Sequence, residues 1–175
     1  MNIPLILGTG RTERKTEAIA RFVHGKLNSK EGVFSEFIDV KDYLDSPFTI
    51  PPWVEGKSAS KWRKIAQEAD GFVFVVPEYN RSFPGEFKLL FDSAFKEYMG
   101  KPAIIVGVSA GNYGGVRVIQ HLAPVLLAAG IEVLGKTLAT SNVGDLVDEG
   151  SEIVSDEKYT KFVEEALESL VLKFK

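Results

Sequence analysis

The sequence predicts an α/β fold in which a parallel sheet carries helices on both faces, and three observations predict it. Phe72–Val76 and Ala103–Val108 are continuous apolar runs without alternation, as in central strands covered on both sides. Five strand-like runs alternate with five segments whose apolar residues recur at three- and four-residue steps. The runs that look most buried each end in a loop rich in glycine, proline and polar residues. A chain of 175 residues fills one domain, residues 1–175, with a full core. At that size the flavodoxin-like, doubly wound, five-stranded order 2-1-3-4-5 is the natural topology.

Taken in order, Ile3–Leu7 is a short apolar strand that stops at Gly8-Thr9-Gly10. From about Thr12 the period turns helical, with Ile19, Phe22, Val23 and Leu27 on one stripe. Val33–Val40 mixes apolar and acidic residues, as an edge strand does. Asp42 to Lys57 contains Pro47, Pro51 and Pro52 and reads as a long surface connection. Ser58–Ala69 is a helix with Trp62, Ile65 and Ala66 inward, and Gly71–Val76 is the central strand. Phe87, Leu90, Phe91, Ala94, Phe95 and Tyr98 then predict one amphipathic helix. Ala103–Val108 is a second two-sided strand, followed by the glycine-rich Ser109–Gly115. Val118, Ile119, Leu122, Leu126 and Ala129 mark the fourth helix, with Gly130 past its end. Ile131–Leu134 is the fifth strand, Leu138–Gly150 a loop closing on Asp148-Glu149-Gly150. The last helix carries Phe162, Val163, Ala166, Leu167, Leu170, Val171 and Phe174 on one stripe.

Composition removes several classes of function. Net charge is −3 without a basic block, so no nucleic-acid surface is expected. The absence of cysteine excludes disulfide scaffolds, thiol nucleophiles and cysteine-ligated metal clusters. Apolar runs are far short of a membrane span, and Met1-Asn2-Ile3-Pro4 lacks the charged start of a secretory leader. A soluble, cytoplasmic protein is the expectation. His24 and His121 lie on separate helices without ligand spacing, so no metal site is expected. Trp53 and Trp62 read as packing residues; the alternative for Trp53 is a place over a neighbouring site.

In the 2-1-3-4-5 order, the loops after strands 1, 3 and 4 meet where ligands bind such sheets. The first, Gly8–Thr16, brings backbone N–H groups, a helix N-terminus, three cations and three hydroxyls together, which suits a phosphate. The plain alternative is a solvated turn capped by Thr12. A P-loop is excluded because Arg14, not glycine, precedes Lys15-Thr16. The dinucleotide fingerprint starts well at Gly8 and Gly10, but its third glycine falls on Glu13. Asp39 could still imitate a ribose-binding carboxylate, which keeps that reading open, yet a single phosphate monoester fits better. The second loop, Glu78-Tyr79-Asn80, offers amides, a planar aromatic and a carboxamide to a flat heterocycle, or else a solvated acid and an ordinary turn. In the third, Ser109, Gly111, Gly114 and Gly115 permit close backbone approach to a ligand, or merely serve the turn before the fourth helix.

Together the loops resemble the NAD(P)H-dependent FMN reductase family, whose members include quinone, azo-compound and chromate reductases. The resemblance is carried by PEYNRSFPGEFKLLFD, by GKPAIIVGVSAGNYGG and by the opening GTGRTERKT. It implies that Thr9, Arg11, Arg14 and Thr16, with Lys15, hold the FMN phosphate. Pro77, Glu78, Tyr79 and Asn80 would border the isoalloxazine, mostly through main-chain atoms, and Ser109, Gly111, Gly114 and Gly115 would line the opposite side. The sequence departs from the family in four places. Thr16 stands for a frequent serine, Glu13 for a frequent glycine, and Leu89 for an asparagine. Arg81 replaces a residue that is often small, where it would narrow the pocket or meet the NADPH phosphate.

The expected activity is NAD(P)H-dependent transfer of two electrons through FMN to a quinone-like or other small acceptor, with no side-chain acid or base required. The alternatives are a flavodoxin-like electron carrier, for which −3 is a mild charge, and a flavin-binding sensor. A homodimer or dimer of dimers is implied, since family members dimerise through the helices after strands 3 and 4.

Overall fold

The structure is a computed structural model and describes residues 1–147, Val154 and 156–175; the Asp148-Glu149-Gly150 turn lies outside the described residues. Strands β1 (Leu5–Leu7), β2 (Phe37–Asp39), β3 (Phe72–Pro77), β4 (Pro102–Val108) and β5 (Glu132–Val133) stand in the order β2-β1-β3-β4-β5. All pairings between them are parallel. The two apolar runs form the centre: β3 and β4 pair from Phe72↔Ala103 through Pro77↔Val108, and every residue of both is buried.

The helices are α1 (Thr16–Asn28), α2 (Lys57–Glu68), α3 (Gly85–Phe91), α4 (Val116–Ala128), α5 (Val143–Leu146) and α6 (Glu157–Val171). The non-alternating strands place residues on both faces, giving two cores. One packs Val73, Val75, Ile104 and Val106 against α1 and α6. The other packs Phe72, Phe74, Ala103 and Ile105 against α2, α3 and α4. Among the described residues, no helix is long and apolar enough to cross a membrane.

Among the described residues the sheet has six strands rather than five. Strand β6 (Leu138–Thr140) lies in the segment expected to be loop and pairs with Val106–Val108 of β4. Since β3 occupies the other edge of β4 from Ala103 to Val108, β5 and β6 share one edge: β5 covers Pro102-Ala103, and β6 covers the end nearest the site. The fifth position is therefore a strand broken around Gly135-Lys136. Three residues with one large apolar side chain are too few to show a period.

Two helices differ from expectation as well. The first begins at Thr16, because loop one runs on through residue 15. The third stops at Phe91, and a 3-10 turn at Lys96–Tyr98 carries the stripe onward. Tyr98 holds that turn inside: its ring stacks on Phe91 at 4.5 Å, it accepts from Trp62 Nε1 at 2.9 Å, and it donates to the Phe91 carbonyl at 2.9 Å. Phe95 is turned out to solvent.

Burial pushes Tyr98 well above the ordinary phenol range. Burial and the nearby Glu36 carboxylate push Tyr43 up to about 12, and burial takes Tyr159 to about 12. The folded state thus favours neutral phenols. Their stabilisation is present in full below the unfolded value near 10 and is lost as pH rises towards 12. Urea midpoints are expected to hold up to about pH 10 and fall steeply above it. Tyrosinate absorbance from the buried rings should grow together with loss of helical circular dichroism; ionisation with the fold intact would refute this.

Candidate functional site

The ends of β1, β3 and β4 bring the three loops together, and the contacts that join them are made by few residues. Gly8 leaves β1 tight against β3, its N–H donating to the Val75 carbonyl at 2.9 Å. Thr9 is fully buried. Its Oγ1 donates to Glu86 Oε1 at 3.1 Å and lies 3.0 Å from the Tyr79 hydroxyl and 3.2 Å from the Arg11 amide. A hydroxyl has one proton, so with that proton on the carboxylate, Tyr79 and Arg11 are the donors to Thr9. Gly10 N also donates to Glu86 Oε1, at 3.0 Å. Loops one and two are thereby tied to each other and to α3. Arg11 completes the join by placing its guanidinium 5.6 Å from the centre of the Tyr79 ring.

Loop two is a two-residue hairpin. Tyr79 and Ser82 exchange N–H···O bonds of 2.9 and 3.0 Å, with Asn80 and Arg81 at φ +47° and +69°. Positive φ at both central positions is the type I′ turn. Loop three is fixed from the far side by β6 and α5. Ser109 N donates to Thr140 O, Asn142 N to Gly111 O, and Val143 N to Ser109 O, at 3.0 to 3.2 Å.

Between the loops is a cavity of about 300 Å³, lined by Arg11, Glu13, Arg14, Lys15 and Thr16, by Pro77, Glu78 and Tyr79, and by Val108, Ser109, Ala110 and Val143. Helix α1 opens beside it with Lys15 at its N-cap and no side-chain cap; the Glu17 amide donates to the Arg14 carbonyl at 3.1 Å, and the Thr16 amide at the helix start remains for an anion. Arg11 and Lys15 take part in no ion pair among the described residues.

Other expected site residues are placed differently. Arg14 touches the cavity, but its guanidinium is committed to Asp39, Glu17 and the Thr9 carbonyl. Burial alone would raise the Asp39 carboxyl; the Arg14 hydrogen bond overrides it and holds the group below the usual carboxylate range. Burial likewise opposes the charge on Arg14, and its two acidic partners raise its pKa regardless. Arg14 therefore ties loop one to the end of β2. Asp39 is equally engaged, which deprives the dinucleotide reading of its ribose-binding acid.

Thr9 and Asn80 do not line the cavity, nor do Gly111, Gly114 and Gly115. Gly114 and Gly115, at φ +62° and +77°, press loop three onto the sheet: added Cβ atoms would meet Ala139 C at 2.9 Å and Val108 N at 2.7 Å. The Glu78 carboxylate, part-buried at loop two, accepts from the Arg117 amide at 3.2 Å and its guanidinium at 3.4 Å, which fixes the start of α4. Its side chain is thus spent, leaving main-chain atoms for a ligand. Glu13 sits at φ +53°, the left-handed conformation that glycine adopts without strain.

Sequence reasoning missed Glu86 and Val143. The only signal for Glu86 was an acid directly after Pro84-Gly85, and its partners lie far away in the chain. Val143 follows the strand that was read as loop. Among the described residues no group of acids or histidines could hold a metal ion; His24 lies 2.9 Å from the Ser35 carbonyl, and His121 is exposed.

Comparison with known proteins points the same way. The family model of NADPH-dependent FMN reductases matches residues 1–145. An NAD(P)H-dependent FMN reductase of Saccharomyces cerevisiae is 26% identical over 162 residues, covering 83% of this chain and 84% of the relative. A 2-hydroxy-1,4-benzoquinone reductase of a Burkholderia species is 30% identical over 135 residues, covering 70% and 68%. In fold the chain is similar to FerB, a flavoenzyme NAD(P)H:acceptor oxidoreductase from Paracoccus denitrificans. That match has TM-score 0.81 at 22% identity, over 97% of this chain and 94% of the other.

Proposed function

Since the chain belongs to the NADPH-dependent FMN reductase family, oxidoreductases with FMN as cofactor and NAD(P)H as co-substrate, we propose that it passes two electrons from the nicotinamide through FMN held among the three loops to a quinone-like or other small acceptor. The supporting observation is the Thr9–Tyr79–Glu86 junction, which sets a cationic loop and an open helix start beside a planar aromatic. That donor set fits a flat ring on a single phosphate. Bound FMN would supply the two-electron redox chemistry between the nicotinamide and the acceptor.

The chain's own residues bind and orient. Arg11 and Lys15 would balance the phosphate charge, with the Thr16 hydroxyl and amide at the start of α1 supplying directed donors. Arg14 and Thr9 hold the loop in shape from beneath. Main-chain atoms of Pro77–Tyr79 and of Ser109–Ala110, which line the cavity, would border the ring.

The test is the visible spectrum of the purified protein, followed by NADPH without oxygen. A yellow protein that bleaches rapidly supports the reductase. A yellow one that does not react is an electron carrier, and one that stays colourless with added FMN is neither. Arg11→Ala is expected to weaken FMN binding about tenfold, the worth of one charge-assisted hydrogen bond, with the fold unchanged by circular dichroism. Equal affinity would remove Arg11 from the phosphate site.

We propose a homodimer on separate grounds. A second and larger cavity of about 880 Å³ runs between α3 and α4, lined by Trp53, Phe91, Phe95, Pro124, Val125 and Ala128. Trp53 is 83% exposed and Phe95 57%, with Met99 and Leu127 also in solvent. Such a contiguous apolar face marks an interface. Along it Lys88 is paired with Asp92, and Lys96 and Glu97 offer both signs of charge to a symmetry-related copy. A single monomer peak by size exclusion at micromolar concentration would overturn this.

A further inference from the structure

Resting on the reductase reading, we propose that Arg81 recognises the 2′-phosphate of NADPH and so sets the preference for NADPH over NADH. Turn chemistry gives the first reason. A type I′ hairpin needs positive φ at both central residues, and asparagine followed by glycine is the unstrained choice. Asn80 fits, but Arg81 stands at φ +69° where glycine would be free of strain. A bulky side chain kept in the left-handed region points to a use for its charge.

The placement of that charge is the second reason. Arg81 is exposed at the tip of the hairpin and does not line the 300 Å³ cavity, so it does not narrow the flavin site. The other cations around the loops are accounted for. Arg14 is paired with Asp39 and Glu17, Lys41 with Asp39, Lys88 with Asp92, and Arg117 with Glu78. Arg11 and Lys15 face the cavity. Among the described residues Arg81 makes no ion pair, and it projects from the same turn that carries Tyr79 at the cavity wall. A dinucleotide whose nicotinamide reaches a ring bordered by Tyr79 must carry its adenosine end outward across the rim. There a planar guanidinium matches a phosphate dianion through two parallel hydrogen bonds, and NADH offers no anion at that position.

The test compares wild type with Arg81→Gly, which removes the charge and suits the turn, and with Arg81→Lys, which keeps the charge. In Arg81→Gly, KM for NADPH is expected to rise about tenfold, while kcat and KM for NADH stay unchanged. Arg81→Lys should recover much of the loss. Titration calorimetry with adenosine 2′,5′-bisphosphate should show the same weakening, with adenosine 5′-monophosphate unaffected, and the effect should shrink as salt is added. FMN affinity should match wild type in both variants, and the glycine variant should melt no lower. A wild type that uses NADH as well as NADPH would overturn the proposal. So would equal changes in KM for both nucleotides, or bisphosphate binding indifferent to Arg81. Failure of the protein to bind FMN or react with either nucleotide would instead overturn the reductase reading beneath it.

Discussion

Gly115→Ala is expected to lower the melting temperature by about 6–12 °C and to weaken FMN binding along with it. Gly115 lies at φ +77°, and an added Cβ would sit 2.7 Å from Val108 N, 2.8 Å from Gly107 C and 3.0 Å from Gly107 Cα. Those are backbone atoms of the central strand β4, which pairs along its length with β3 and cannot yield as a flexible side chain would. The approach is mutual, because a Cβ on Gly107 would meet the Gly115 carbonyl at 2.6 Å. Left-handed strain and overpacking each cost on the order of 1–3 kcal/mol, and together about 3 kcal/mol is a moderate expectation. At about 2–4 °C per kcal/mol for a chain of this size, that gives the predicted shift. Ser109 and Ala110 lead directly into this turn, so relieving the clash moves one wall of the cavity. Gly25→Ala in α1 is the control: nothing lies within 4 Å of its Cβ position, and alanine there should stabilise by about 0.5–1 kcal/mol. A Gly115→Ala protein that melts with wild type would show that the strand and loop do not touch as described.

How much of this was legible beforehand depended on the range over which each feature is determined. Phe72–Val76 and Ala103–Val108 declare two-sided burial through local composition, and from them the parallel sheet and the convergence of three loops follow. The cationic loop and the Tyr79-bearing loop were legible for the same reason. What each side chain does there was not. Arg14 looks like a phosphate ligand in sequence, yet Asp39, 25 positions away, takes its guanidinium. Gly115 looks like an opening for a ligand, yet it is the contact between α4 and β4. Strand β6 escaped notice because three edge residues borrow their order from the ladder of β4. Local pattern announced elements and loops, and the partner of each polar group was decided by segments far away in the chain.

Glu86 belongs to that second kind, and Glu86→Ala is expected to weaken FMN binding by about 10- to 100-fold. Its Oε1 is the one acceptor given to both Gly10 N and Thr9 Oγ1, at 3.0 and 3.1 Å. Removing it leaves two part-buried donors without a partner, at a cost of about 1–3 kcal/mol for each unsatisfied group. Loop one can escape that cost only by turning those donors to water. Doing so breaks the Thr9 contact with Tyr79 and parts the arginine-bearing loop from the tyrosine-bearing hairpin. Much of the cost therefore appears as lost affinity, at about 1.4 kcal/mol per factor of ten. Glu86→Gln separates geometry from charge, because an amide oxygen can accept both donors while the negative charge near the phosphate disappears. Fluorescence titration with FMN should rank glutamine at or above wild type and alanine far below. If glutamine binds as weakly as alanine, the carboxylate charge matters and the acceptor geometry does not. If alanine binds like wild type, loop one is held in place without α3, and the junction does not organise the site.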